Sequence, residues 1–453
     1  MRPIVATTLQ DPISRIGVAL TTASALLFLF LLALDFIGLL NNPYAGLVVF
    51  VMVPLLFVIG LLLIPIGIVN ERRRAARGLA PVAWPRIDLS DSGIRRTVLI
   101  LVIATLVNLG LVSFASYGAV KYTESQTFCG QACHTVMEPE SVAHQSGPHA
   151  RVHCVACHVG PGARGFLTAK LNGTRQLALA VTGRYHRPLP TPVENMPDVS
   201  NSCEQCHWPD RWIGDTIKVL DEHADDEANT PTKTIVRLHV GGAVAGTGNG
   251  IGIHWHMNRA NHVEYVALDE QREQIPYVRV TTSDGRVREY FGKGVTPGAI
   301  ADKPRRRMDC IDCHNRPAHR FATAPEREVD AAIGTGRINA KIPFIRREAV
   351  RALRGTYTTQ DVALREIERS IREATRAHLP QRVEEADLRR AIGVTQAIYR
   401  ANVFPSMNVS WGTYPNQLGH VTSMGCFRCH DEDHKTTDGV AIRQDCELCH
   451  SIE

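Results

Sequence analysis

The twelve cysteines fall into six pairs, and a histidine directly follows the second member of each pair. The groups are Cys129/Cys133/His134, Cys154/Cys157/His158, Cys203/Cys206/His207, Cys310/Cys313/His314, Cys426/Cys429/His430 and Cys446/Cys449/His450. Five are strict C-x-x-C-H, the pattern of covalent c-type haem attachment. Two thiols add to the haem vinyl groups, and the adjacent histidine is set under the iron as proximal ligand. Structural zinc and a disulfide framework compete for C-x-x-C pairs. Zinc does not require His after every second Cys, and disulfides do not require His at all. Six haem c groups are therefore the expected cofactors. The first group, within "FCGQACHTVMEPE" (128–140), has one residue too many between its cysteines and reads as a variant sixth site.

Nineteen histidines are present, so thirteen remain outside the motifs. That supply suits a second imidazole at most sites, giving electron-transfer haems and not substrate-binding ones. The expected distal ligands are His149, His254, His256, His319, His420 and His434. The "HWH" run (254–256) is expected to put two imidazoles on one face of a strand.

Three stretches must hold these motifs against a membrane. Residues 17–40, 44–69 and 97–120 are each long and apolar enough to span a bilayer, which takes about 20 residues. The mean hydropathy of -0.08 hides them behind a polar remainder. Residues 71–96 carry seven Arg against three acids and read as a cytoplasmic loop. Arg2 and Arg15 place the N-terminus on the same side, the uncharged "NNP" turn (41–43) lies outside, and the third helix exits into the periplasm, where haem is attached. The first helix reads as retained. Asp35 is open between an interfacial acid and a proton relay. The expected organisation is thus a membrane domain (1–120) and a mainly α and loop periplasmic haem domain with a small β-rich insertion.

The spacers between motifs are 19, 44, 102, 111 and 15 residues, too uneven for a repeat array. Segment 121–210 holds motifs one to three, and 211–309 is the β-rich insertion, with Asp284-Gly285 as a hairpin turn. Segment 310–325 holds the fourth motif. Residues 326–402 read as helical, with Leu364, Ile367, Ile371 and Ala374 at helical spacing before Pro380. Residues 403–453 hold the last two motifs. The glycine cluster at 241–252 reads as a loop.

The runs "FCGQACHTVMEPE", "SGPHARVHCVACHVGPGARGFLTAKLNG", "CEQCHWP" and "CIDCHNRPAH" resemble the NapC/NirT family of membrane-anchored multihaem quinol dehydrogenases, over residues 97–210 and again at 310–319. The resemblance implies that Met137 is an axial ligand of the first haem at the membrane surface. It also implies that His149 and His319 are distal ligands, and that Lys170 stands beside a quinol pocket. Departures are three helices where family anchors usually have one, the longer first motif, no acid just after Lys170, the long insertion, and two further motifs. Glu138 or Glu140 would substitute for the missing acid. The larger layout is similar to inner-membrane multihaem cytochromes of metal-respiring bacteria.

The function expected from the resemblance is oxidation of menaquinol or ubiquinol where the third helix meets the first haem. Electrons would pass to periplasmic multihaem cytochromes or a reductase, and protons to the periplasm. Lys170 is equally readable as a snorkelling interfacial lysine, and Met137 as packing over the haem. Two other readings stay open: a terminal reductase of a small oxyanion such as nitrite, and a haem-bearing anchor for a separate reductase. No nucleic-acid partner is expected.

Overall fold

The computed structural model describes residues 12–36, 48–75, 90, 92–132, 134–193, 196–208, 212–241, 252–378 and 383–453. The chain divides into two units, Met1–His134 and Thr135–Glu453.

In the first unit, helices α1 (Pro12–Phe36), α2 (Val53–Ala75) and α3 (Ser92–Thr123) follow one another. Small residues let α1 and α2 approach closely. A Cβ on Gly17 would stand 2.8 Å from the Gly60 carbonyl oxygen, and Ser14, Thr21 and Ser24 are buried. Ser14 Oγ donates to the Ile64 carbonyl at 3.1 Å, while Thr21 and Ser24 donate to carbonyls of their own helix. Leu26, Phe30, Leu55 and Leu62 point outward and are more than half exposed. Small and polar residues inside, with large apolar ones outside, is how helices pack in lipid.

Among the described residues, two helices are long and apolar enough to cross a membrane, at Ile13–Leu31 and Val53–Asn70. This corrects the expected count of three. The stretch 97–120 does form helix, but within the 32 residues of α3, which carries Arg95 and Arg96 near its start and Lys121 in its last turn. Its apolar run is thus enclosed by charged turns. The span expected at 44–69 enters through a π-helical turn at Val48–Met52, and the side chain of Asp35 lies outside the described residues.

The second unit is mostly helical with two small sheets. Helices α4 (His134–Gln145) and α5 (Gly162–Val181) come first. Strands β1 (Thr216–His223) and β2 (Pro231–Leu238) pair antiparallel along their whole length, and β7 (His450–Ile452) joins β2. A second antiparallel sheet runs β5-β4-β3-β6, from β3 (His262–Val266), β4 (Tyr277–Thr281), β5 (Val287–Phe291) and β6 (Arg306–Arg307). Its hairpin turns at Asp284-Gly285, where Gly285 has φ 79°, a conformation that costs glycine little. Glycines 242–250 of the expected loop, and Pro380, lie outside the described residues.

Helices α6 (Pro325–Gly334), α7 (Ile345–Leu353), α8 (Gln360–His378) and α9 (Glu385–Asn402) form a bundle around Ile333, Ile345, Leu353, Ile367, Ile371 and Ile392. Each such side chain contributes about 1.5–3 kcal/mol on burial. By contrast, none of the described residues between 145 and 222 is buried.

Candidate cofactor sites

Each motif sits on a tight turn. Cys154–His158 is one α-helical turn, and Cys203–Gln205, Cys310–Asp312, Gly425–Arg428 and Cys446–Leu448 are 3₁₀ turns. In three of them the histidine N–H returns to the carbonyl of the first cysteine: His207 to Cys203 at 2.8 Å, His314 to Cys310 at 2.8 Å, and His430 to Cys426 at 3.0 Å. The turn therefore fixes both thiols and the imidazole together. The first motif differs. Residues Phe128–Ala132 form a π-helical turn, which is wider than an α turn and takes up an additional residue. Cys133 and the His134 side chain lie outside the described residues.

Five motif histidines are each faced by a second imidazole from elsewhere in the chain. Ring centres are 6.0 Å apart for His207 and His149, and 6.1 Å for His158 and His319. The distances are 6.2 Å for His314 and His254, 5.9 Å for His430 and His256, and 5.9 Å for His450 and His420. Metal–imidazole bonds are about 2 Å long, so two imidazoles on opposite sides of one metal have ring centres about 6 Å apart. The five pairs therefore fit a six-coordinate iron.

Hydrogen bonds orient the partner rings. Nδ1 of His149 faces the Pro317 carbonyl at 3.1 Å, that of His254 the Val240 carbonyl at 2.6 Å, and that of His256 the Ile253 carbonyl at 2.9 Å. His319 Nδ1 faces the Glu140 carbonyl at 2.9 Å. Such a bond on Nδ1 leaves the Nε2 lone pair for a metal. Burial pushes the pKa of His158, His254, His256, His314 and His319 below the ordinary value, favouring the neutral, ligating form.

The "HWH" run is not a strand. Ile253–Met257 is a 3₁₀ turn, and two residues in such a turn point to different sides. His254 consequently meets the fourth motif and His256 the fifth. His434 is brought to none of the motif rings. It is buried, with Nδ1 2.8 Å from Asp431 Oδ1 and Nε2 2.6 Å from the Ile275 carbonyl, so both nitrogens are engaged in holding the chain. His144 is also buried, its ring 5.9 Å from that of His319.

The residues associated with quinol fall into different settings. Met137 is half-buried on α4, and Glu138 is exposed on the same helix. Glu140 is buried, and both its oxygens accept from Arg316 Nη2 at 2.8 and 2.9 Å. Arg316 also lies 3.9 Å over the Tyr414 ring. Glu140 thus positions the fourth-motif segment and His319. Lys170 is half-buried on α5, its ammonium 4.9 Å over the Phe166 ring.

Two charged residues inside motifs build a link that spacing alone did not reveal. Asp312, buried in "CIDCH", accepts from Tyr265 Oη at 2.7 Å, Arg272 Nη1 at 2.6 Å and Arg306 Nε at 3.1 Å. Arg428, buried in "CFRCH", donates to the Asp312 carbonyl at 2.6 Å and the Arg272 carbonyl at 2.7 Å. The available signal was an ionisable residue in a motif's variable positions.

The N-terminal region of the NapC/NirT cytochrome c family matches residues 92–189, from α3 through the first two motifs. Over 451 residues the chain is 41% identical to cytochrome c-type protein ImcH of Geobacter sulfurreducens, across 98% of this chain and 88% of that protein. This chain belongs to the NapC/NirT cytochrome c family. It is a membrane-associated, multihaem electron-transport cytochrome. No solved structure matches it. Within this NapC/NirT cytochrome, the family match ends before the third motif, whereas the likeness to ImcH continues across the insertion, the bundle and the last two motifs.

Proposed function

We propose that the chain is an inner-membrane hexahaem cytochrome that oxidises menaquinol or ubiquinol and passes the electrons to periplasmic redox partners. The observation that carries this reading is the set of five imidazole pairs with ring centres 5.9–6.2 Å apart. Two strong ligands per iron close a site to substrate, which favours electron relay over oxyanion reduction. Bound haem c supplies reversible one-electron transfer.

In this reading the twelve cysteines attach the haems, with His134, His158, His207, His314, His430 and His450 proximal. His319, His149, His254, His256 and His420 are the distal ligands of the second to sixth sites, and Met137 that of the first. α3 is a third membrane span, the N-terminus is cytoplasmic, and the motifs are periplasmic, as the arginine-rich 71–96 segment favours. Lys170 holds a quinol oxygen. Because Glu140 is committed to Arg316, Glu138 is the carboxylate that takes up a proton.

The test is reduction of the detergent-solubilised protein by a menaquinol analogue, followed at the c-haem α band with and without a quinol-site inhibitor. Inhibitor-sensitive reduction of several haems is expected. Reduction by dithionite but not by quinol would refute the quinol step and leave a relay fed by another protein.

A further inference from the structure

The five motifs of the second unit stand in space in the order in which the chain reaches them. His149, just ahead of the second motif, faces His207 of the third, and its Nδ1 reaches Pro317 just past the fourth. Arg428 of the fifth motif bonds the Asp312 carbonyl of the fourth. His420, ahead of the fifth motif, faces His450 of the sixth. The thiols follow the same succession. After burial, Cys203 is the next cause raising the pKa of Cys157 and of Cys310, and Cys426 is the next cause raising that of Cys449. Among the described residues, the sixth motif has a neighbouring motif on one side only.

The surface at that end is distinctive. Cys446 is exposed. Around His420, the residues Leu418, Val421 and Met424 are 55%, 70% and 57% exposed, an apolar patch in a stretch without charge. Residues 425–453 carry seven acids against three bases, and one of those bases, Arg428, is buried. Asp438, Asp445 and Glu447 are exposed. A small apolar centre with a charged rim suits brief redox encounters, which bury little surface and are steered by charge.

We infer that the sixth site is the exit, and that the Leu418/Val421/Met424 patch with its acidic rim docks a small cationic one-electron carrier, a c-type cytochrome ringed by lysines. The inference rests on the electron-relay reading above. Each encounter moves one electron: the chain loses one equivalent and the carrier's ferric centre becomes ferrous, with no bond or proton exchanged.

The experiment uses the full-length protein in nanodiscs and, as probe, a basic monohaem cytochrome c. Binding is measured by surface plasmon resonance, and docking is mapped by lysine–carboxylate cross-linking. The Val421→Lys/Glu447→Lys double variant, compared at equal haem content, is expected to bind at least about tenfold more weakly than the parent. Glu373→Lys on the bundle should bind like the parent, and cross-links should join probe lysines to Asp438, Asp445 or Glu447. Parent-like binding by the double variant, or cross-links concentrated beside the exposed Cys206 of the third motif, would overturn the inference. Quinol reduction measured without the probe separates the two proposals. If quinol fails while the probe docks here, the exit survives and the quinol step falls; the reverse outcome removes only the exit.

Discussion

Residues 145–222 and 325–402 are stretches of equal length with opposite interiors. The second buries Ile333, Ile345, Leu353, Ile367, Ile371 and Ile392 in a bundle, and contains no cysteine and one histidine. The first contains four motif cysteines and five histidines, and none of its described residues is buried. It still carries large apolar residues: Leu167, Leu171, Val181, Ile213 and Ile217 are all more than half exposed. A folded segment must offset its conformational entropy with burial. The bundle does so with its own side chains. In the proposed reading, the motif segment does so against the porphyrins its cysteines attach, so here the cofactor is the hydrophobic core.

The sharpest way to break that contrast is to withhold the cofactor. If the full chain is made without covalent haem attachment, residues 145–222 should lose hydrogen-exchange protection and become sensitive to limited proteolysis. Residues 325–402 should keep both kinds of protection. Equal protection in the two stretches would end the comparison. Next in size is Ile371→Ala, which should cost the bundle about 2–5 kcal/mol, read as a lower melting temperature while the haem absorption spectrum stays as in the parent. A change in that spectrum would mean that the bundle and the sites are one cooperative body.

His256→Ala should convert a single site, the fifth, to weaker-field ligation, seen as the loss of one low-spin component by electron paramagnetic resonance. The His254–His314 pair should persist. Loss of two components would show that the turn itself had collapsed. The smallest effect is expected for Glu140→Gln, which keeps the geometry beside Arg316 but removes charge from a largely buried pair. It should destabilise by roughly 1–3 kcal/mol, and Glu140→Asp should be worse in packing but retain the charge. If both variants melt like the parent, Glu140 does not position His319.

The parts legible in the sequence are those written locally. The C-x-x-C-H turns declare themselves by spacing, Asp284-Gly285 by its turn chemistry, and α8 by Ile367 and Ile371 one turn apart. What was not legible depends on distant partners. His158 meets His319 and His450 meets His420 only once the fold is made, and no local pattern separates these rings from His434, which bonds Asp431 and Ile275 instead. Strand β1, "TIKVLDEH", is too charged to stand out, and β7 is recruited from inside a motif. The "HWH" run was misread because alternation suggests a strand, whereas Gly252, at φ 111°, leads it into a 3₁₀ turn.

The interlacing of the imidazole pairs has a consequence for how the protein is made. The chain reaches the periplasm from its N-terminal side, so His158 arrives long before His319, which lies beyond the whole insertion. The third site is the exception, since His149 is already outside when His207 emerges. The second site must therefore wait, half-dressed, for a residue still being synthesised, while the third completes at once. Maturation of this cytochrome would then follow a timetable set by sequence position, with the insertion and its 3₁₀ turn controlling when the fourth and fifth sites close.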